Sequence, residues 1–277
     1  MINLPALELL KEQVSINKNK NCEPVDLEQI FLAVLDTNRS DFYSKTYYLS
    51  SEDHKELCIM INRRNLGEPL AYILGRKGFW TIDLKVNEHV LVPRPETETI
   101  IDLVLSLYDQ KQIQVLDAGT GSGAIALALA FERRNWSVYA LDKSQNAINV
   151  AHDNMQNLDL DVNFLRSDWL DPIQSLSLDI IVSNPPYVSA DDSRLEADGV
   201  IKEPLKALVA DNQGLADLNE IIKQSYRCLV KGGRLVLEHA PEQSNLVKEF
   251  FEESNYNSFE VHKDLNGDKR VSSGLKL

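Results

Sequence analysis

The chain is short of several things. Its 277 residues include only three cysteines, Cys22, Cys58 and Cys228, and no two of them form a CxxC pair. That spacing excludes a disulfide framework and a cysteine-built zinc site, and it fits reduced thiols. Basic residues are scarce too. Lys and Arg number 29 against 42 Asp and Glu, a formal net charge of −13. Binding to nucleic acid draws on Lys and Arg that neutralise phosphates. The acidic surplus therefore argues against a free-standing nucleic-acid binder. No stretch approaches the roughly 18 uncharged apolar residues of a membrane span. The start, MINLPALELLKEQ, lacks the basic leader and long apolar run of a signal peptide, so a cytoplasmic location is expected. Five histidines (His54, His89, His152, His239 and His262) are scattered and suggest neither a metal site nor a proton-transfer site.

What is present is length and apolar content. At 277 residues and 43% hydrophobic, the chain is long enough for one large domain or two ordinary ones. Residues 1–77 read as a small helical domain. Leu4, Leu7, Leu9 and Leu10 begin one amphipathic helix, Asp26 is placed as the N-cap of a second, and Ser50 or Ser51 caps a third reaching Asn65. Residues 78–95 change period. FWTIDL, then VNEH and VLVP, suggest a β-hairpin connector with its turn near Asn87. From residue 96 to 277, strand-like and helix-like segments alternate. Such alternation predicts an α/β, doubly wound, mostly parallel sheet of Rossmann type, whose ligands bind outside the carboxyl ends of the strands.

Two motifs fall at those ends. VLDAGTGSGAIALALA puts the turn Gly119-Thr120-Gly121-Ser122-Gly123 between a strand and a helix. Glycines allow positive φ and close ligand approach, and the helix that follows aims its N–H groups at the site. Asp142 ends the next strand, where a carboxylate suits ribose hydroxyls. These features alone fit NAD as well as another adenosine cofactor, since Gly119, Gly121 and Ala124 also satisfy G-x-G-x-x-A. Asp117 tips the balance. A fixed carboxylate just before the turn repels a pyrophosphate and suits a cofactor with cations there, such as the ammonium and sulfonium of S-adenosylmethionine. Asp168 and Trp169, after the third strand, are candidates for an adenine amino group and the adenine face.

The second motif is IVSNPPY. A strand stops at Asn184, Pro185, Pro186 and Tyr187, because proline cannot donate to a sheet ladder. In the common wound order this fourth strand lies beside the first, next to Gly119. A carboxamide or exocyclic nitrogen is a poor nucleophile, its lone pair being delocalised. Acceptors on its N–H groups, here the Asn184 oxygen and the Pro185 carbonyl, hold it and favour pyramidal nitrogen. Tyr187 offers a flat face. Positioning then supplies much of the rate of attack on a sulfonium methyl.

The joined motifs DAGTGSG and SNPPY resemble the amino-methyltransferases that act on nitrogen of planar groups. GEPLAYILGRKGFW, VLVPRPETE, EPLKALVADNQGLADL and GGRLVLEH resemble segments of the peptide chain release factor glutamine methyltransferase family, and the likeness covers nearly the whole chain. The resemblance implies a cytoplasmic enzyme. It would transfer a methyl group from S-adenosylmethionine to the side-chain nitrogen of the glutamine in the Gly-Gly-Gln loop of class-1 release factors, leaving S-adenosylhomocysteine. Carried over, Gly119 to Gly123, Asp142 and Trp169 are cofactor residues, Asn184 to Tyr187 hold the substrate amide, and Phe79, Arg94, Pro95 and Glu96 line the same cleft. The helical domain becomes the substrate-recognition domain. Two departures, HAPEQ after Glu238 and a loose NGDKRVSSGLKL that keeps Asp268-x-Arg270-Val271, are expected to lie away from the chemistry.

Rival readings remain at this level. A glutamine methyltransferase of a ribosomal protein shares every motif. A DNA adenine methyltransferase would need a basic groove and a target-recognition domain. A binding module that keeps the fold without activity would be expected to lose one motif or the other.

Overall fold

The computed structural model describes residues 5–17, 21–108 and 112–277. Two units separate along the chain. One runs to Gly75 and takes back Glu196–Lys202 from later in the sequence; the other holds Arg76–Leu195 and Glu203–Leu277.

The first unit is helical: α1 (Ala6–Ile16), α2 (Pro24–Val34), α3 (Arg39–Ser44), α4 (Ser51–Asn65) and α5 (Leu70–Leu74). Leu4 lies outside the described residues. Local capping sets the boundaries. Ser50 and Asp53 cap α4 reciprocally, each side chain taking the other's backbone N–H. The start of α2 differs from the expectation. Glu23 is its N-cap and Asp26 its third residue, whose carboxylate closes back on the Glu23 N–H at 3.2 Å. Pro24 fixes this choice, because a first helical position needs no N–H donor. α3 was not anticipated; six residues carry too little periodicity to be seen. Leu9, Leu10, Leu27, Ile30, Phe31, Phe42, Leu57 and Ile61 form the core. Arg64 is buried between Asp26 of α2, at 2.8 Å, and Asp198 of the returning segment.

The second unit opens with a hairpin, β1 (Arg76–Phe79) and β2 (Ile82–Lys85). It lies earlier than expected. The chain reverses at Trp80–Thr81, with Trp80 left-handed at φ 53° and Phe79 paired to Ile82. The run at Val90–Pro93 is no strand: the Val92 N–H goes to the Glu203 carboxylate at 3.1 Å, and Pro93 and Pro95 have no donor to give. After a 3₁₀ turn at Pro95–Thr97 come α6 (Glu98–Leu107), β3 (Gln114–Ala118), α7 (Ala124–Glu132), β4 (Ser137–Asp142), α8 (Gln145–Asn157), β5 (Asn163–Arg166) and β6 (Leu178–Ser183). A short turn α9 (Asp211–Gly214), α10 (Ala216–Cys228), β7 (Leu229–Glu238), α11 (Ser244–Glu253), β8 (Asn257–Lys263) and β9 (Lys269–Leu275) complete it.

The sheet order is β5-β4-β3-β6-β7-β9-β8, with every strand parallel except β9, which is antiparallel to both its neighbours. Alternation along each strand feeds two cores. Val115, Val138, Ala140, Ile180, Val182 and Val236 face α6, α7 and the hairpin, while Leu116, Ala118, Leu141, Ile181, Leu235 and Leu237 face α10 and α11. The chain runs outward from β3 one way and from β6 the other. The seam between these two strands is therefore the switch point, where a crevice opens at the carboxyl ends.

Candidate active site

β3 delivers Asp117 to that seam. Its register places it against Ala140 of β4 and Val182 of β6. The side chain is fully buried, and Oδ2 accepts from the Thr120 hydroxyl at 2.6 Å and from the Ala126 N–H at 3.2 Å. Oδ1 has no partner. Burial pushes the carboxyl up to about 7 against the pull of Thr120 and Ala126, with the Asp142 charge adding to the rise. A buried carboxylate with one bare oxygen is a ready acceptor for a cation.

The turn that follows is held by β4. The Gly119 and Thr120 N–H groups both donate to the Leu141 carbonyl at 2.9 Å. Gly121 has φ 56° and open space where a side chain would stand, so the backbone there is bare to a ligand. At Gly123, φ is 85° and a Cβ would fall 2.8 Å from Leu127, which closes the position to other residues. Ser122 is buried, and its carbonyl accepts from Asn154 at 2.9 Å. Asp142 braces the turn from the next strand: Oδ2 accepts from the Gly121 N–H at 2.9 Å and Oδ1 from the Ser144 N–H at 2.8 Å. Its carboxyl is also raised by burial, opposed by these backbone donors.

Trp169 closes the other side. It is left-handed at φ 52°, and its ring would touch a Cβ at Gly119 at 3.2 Å. The indole Nε1 donates to Asp217 at 3.1 Å. Asp168 turns outward instead, paired at 2.6 Å with an exposed Lys143.

β6 brings Asn184 to the same end of the sheet. Ser183, fully buried, locks the strand end by donating to the Ala118 carbonyl at 2.5 Å. Asn184 Nδ2 donates to Thr97 Oγ1 at 2.9 Å. Pro185 is buried, and the Tyr187 hydroxyl donates to Glu238 at 3.0 Å. The Tyr187 carbonyl is held by Gln243 Nε2 at 2.9 Å and is so close to Gly214 that a Cβ there would fall 2.1 Å away. Val188 and Ala210 exchange backbone bonds with their neighbours, which pins the loop beyond.

The four expected cleft residues divide. Phe79 is 2% exposed in the core with Ile82, Leu84 and Ile100, so it packs the hairpin and does not line a cleft. Arg94 is bound to the buried Glu203 at 2.5 Å, a tether between two loops. Pro95 and Glu96 open the 3₁₀ turn that carries Thr97. The two segments expected to lie apart from the chemistry do not: Glu238, Gln243 and the Arg270 charge all surround Tyr187. Thr97, Glu238, Gln243 and Gly214 are the positions that spacing missed. Thr97 meets Asn184 from 87 residues away, and Glu238 and Gln243 meet Tyr187 from 51 and 56; the one available signal was their place inside the segments given above. Among the described residues no group of three or more His, Cys, Asp or Glu is arranged to hold a metal.

The donor set fits an adenosine cofactor with a cationic tail: a bare buried carboxylate oxygen, an open glycine backbone, a second acid at the next strand end and an indole over the turn.

Residues 101–213 match the family Methyltransferase small domain, and residues 8–75 match the PrmC N-terminal domain. A release factor glutamine methyltransferase of Buchnera aphidicola is 42% identical over 229 residues, 82% of either chain. That of Pasteurella multocida is 38% identical over 93% of this chain and 94% of its own, and that of Escherichia coli 39% identical over 82% of each. Among solved structures, a methyltransferase from Pyrococcus furiosus aligns with a TM-score of 0.54 at 19% identity, covering 72% of this chain and 91% of its own. A 16S rRNA N2 G1207 methyltransferase of Thermus thermophilus, solved with AdoMet and guanosine, aligns at 0.54 and 18% identity over 73% of this chain and half of its own. These structures share the fold.

Proposed function

The chain belongs to the release factor glutamine methyltransferase family, and from that premise we propose that it methylates the glutamine of the Gly-Gly-Gln loop of class-1 release factors. It is an S-adenosylmethionine-dependent protein-glutamine N-methyltransferase. The observation that supports the finer assignment is the likeness to a release factor glutamine methyltransferase over 93% of this chain, the helical unit included. The Asn184 side chain supports the class of acceptor: its Nδ2 is spent on Thr97, so Oδ1 is left to accept from an amide N–H.

S-adenosylmethionine supplies a sulfonium methyl; transfer forms the N–CH₃ bond, breaks S–CH₃, leaves the bond pair on sulfur and releases one proton from nitrogen. The protein's part is placement. Asp117, the turn Gly119 to Gly123, Asp142 and Trp169 hold the cofactor. Asn184 Oδ1 and the Pro185 carbonyl accept from the two N–H groups of the substrate amide. Tyr187, with its hydroxyl fixed on Glu238, walls the slot. No strong base is needed before attack, because the nitrogen becomes acidic only as the new bond forms. Docking of the protein substrate is assigned to the helical unit, whose Val25, Tyr48, Ile59 and Leu66 side chains are exposed.

The test mixes labelled S-adenosylmethionine with the enzyme and a purified class-1 release factor, either wild type or with the glutamine of its Gly-Gly-Gln loop changed to alanine. Label on the wild-type factor alone is the expected result. Label on both, or on neither while a ribosomal protein takes it, would overturn the assignment.

A further inference from the structure

We propose that Asp217 is a positioning residue that holds the Trp169 indole in place as a cover over the cofactor turn. The inference deepens the cofactor role given to Trp169 above and rests on it. A flat ring serves a bound purine while it keeps one plane and one place. The backbone at Trp169 does not secure that. The residue lies in a turn beyond the end of β5. Its φ of 52° is a left-handed value, which a bulky side chain adopts where its surroundings impose it.

Those surroundings come from α10, a helix seated in the core by Leu218, Ile221 and Ile222. Three of its side chains reach the turn. Gln224 Oε1 accepts from the Leu170 N–H at 2.7 Å. The Arg227 guanidinium donates to the Leu170 carbonyl at 2.9 Å and to the Ile173 carbonyl at 2.5 Å. These two hold main chain. Asp217 Oδ1 accepts from the Trp169 Nε1 at 3.1 Å, across 48 residues of sequence. Of the three, Asp217 alone holds the ring. From the other side the Ser167 hydroxyl donates to the Trp169 carbonyl at 2.9 Å.

The bond has one polarity. An indole N–H donates and cannot accept, while a carboxylate accepts and cannot donate. It therefore selects between the two placements of the ring that a half-turn about its side-chain axis interconverts, because the other carries Nε1 away from Asp217. In the selected placement, Cζ3 and Cη2 at the opposite edge of the ring stand 3.2 and 3.5 Å from where a Gly119 Cβ would be. One edge of the indole is thus fixed on α10 and the other lies on the first glycine of the cofactor turn. Without Asp217 the main chain stays anchored by Gln224 and Arg227, and the ring is free to swing off the turn.

The test titrates S-adenosylmethionine by calorimetry into wild type, Asp217→Leu, Asp217→Asn, Trp169→Leu and the double variant Asp217→Leu/Trp169→Leu. In Asp217→Leu the cofactor Kd is expected to rise roughly fivefold to thirtyfold. At saturating cofactor, kcat and the KM for a class-1 release factor stay within about twofold of wild type. Asp217→Asn, whose amide oxygen still accepts from the indole, recovers most of the affinity. With Trp169 already changed to leucine, Asp217→Leu adds less than about twofold, because the two residues act as a unit. The ring itself is read by ¹⁹F spectra of protein grown on 5-fluorotryptophan. The chain has three tryptophans, and the Trp169 signal is the one lost in Trp169→Leu. That signal should shift on adding cofactor to wild type, and should move or broaden in Asp217→Leu before any cofactor is added. Where Asp217→Leu fails to fold, Asp217→Ala takes its place, alanine being at home in a helix. A cofactor Kd within twofold of wild type in the folded variant would overturn the inference alone, as would an equal loss with Trp169 absent. A wild-type Trp169 signal indifferent to the cofactor would overturn the role of Trp169 and the inference with it. An unlabelled release factor, with these affinity changes intact, would overturn the assigned substrate and leave the inference supported.

Discussion

At the scale of single residues, the site separates holding the cofactor from presenting the nitrogen, and the separation is measurable. Asn184→Ala removes an acceptor for the substrate N–H while leaving the glycine turn intact. Turnover is expected to drop about a hundredfold or more with cofactor affinity nearly unchanged. Asp142→Ala should do the reverse. It removes a carboxylate that braces Gly121 and faces the cofactor side, and cofactor Kd is expected to rise roughly tenfold to a hundredfold. Titration calorimetry with S-adenosylmethionine on both variants distinguishes the two roles. Asp117 carries a further consequence. Its carboxyl is held up to about 7 by burial, so near neutrality it is partly protonated in the free enzyme. A bound cation draws the proton off. Binding should tighten as pH rises through about 7, and below that pH the measured heat should vary with the ionisation enthalpy of the buffer. Asp117→Asn should abolish most of that buffer dependence; an unchanged dependence would mean that the cationic end lies elsewhere.

At the scale of elements, the loop after β6 depends on a glycine far from it in sequence. Gly214 is left-handed at φ 81°, and the Tyr187 carbonyl stands where its Cβ would be, 2.1 Å away. Gly214→Ala must move one backbone or the other. Stability is expected to fall by about 2–3 kcal/mol and turnover to fall with it, read by denaturant melts and the methyl-transfer assay. This contact also shows what sequence leaves hidden. Strands, helices and the strand-end motifs of the second unit were legible, because each is a local pattern: a β-branched run, a 3.6-residue period, a glycine turn. The hairpin was misplaced since VLVP has strand composition, while the Val92 N–H is claimed by Glu203, 111 residues on. Asp26 resembles a cap in sequence because capping residues look alike one turn apart, and Pro24 decides the matter. Phe79 illustrates the converse. The resemblance marked it as functional, and its burial among Ile82 and Ile100 makes it packing.

At the scale of the whole molecule, the same burial that arms the site works against stability. The supporting shell around Asn184 could not be read from spacing, since Thr97, Tyr187 and Glu238 come from three separated segments that only the folded sheet brings together. Once assembled, that shell and the cofactor turn each bury a carboxyl group that resists ionisation. Asp117 rises from 3.8 to about 7 and Glu238 from 4.5 to about 7. For a group whose folded value is raised, the stabilising contribution is fully present below the unfolded value and is lost as pH climbs through the folded one. Asp192, Asp198 and Asp264 are held low, Asp192 and Asp198 chiefly by Arg64 or Arg194 and Asp264 by backbone donors and Arg270, so their contribution is lost only in strong acid, below about 4. The melting temperature should therefore peak near pH 4 and decline from there to about pH 7, by an amount on the order of a few kcal/mol of stability. Melts of wild type, Asp117→Asn and Glu238→Gln across this range test the coupling. Each variant should flatten the decline by its own share, and saturating S-adenosylmethionine should flatten the part due to Asp117 alone. A wild-type melting temperature that keeps rising to pH 8 would place both carboxylates, already ionised, in a more solvated site than their burial describes.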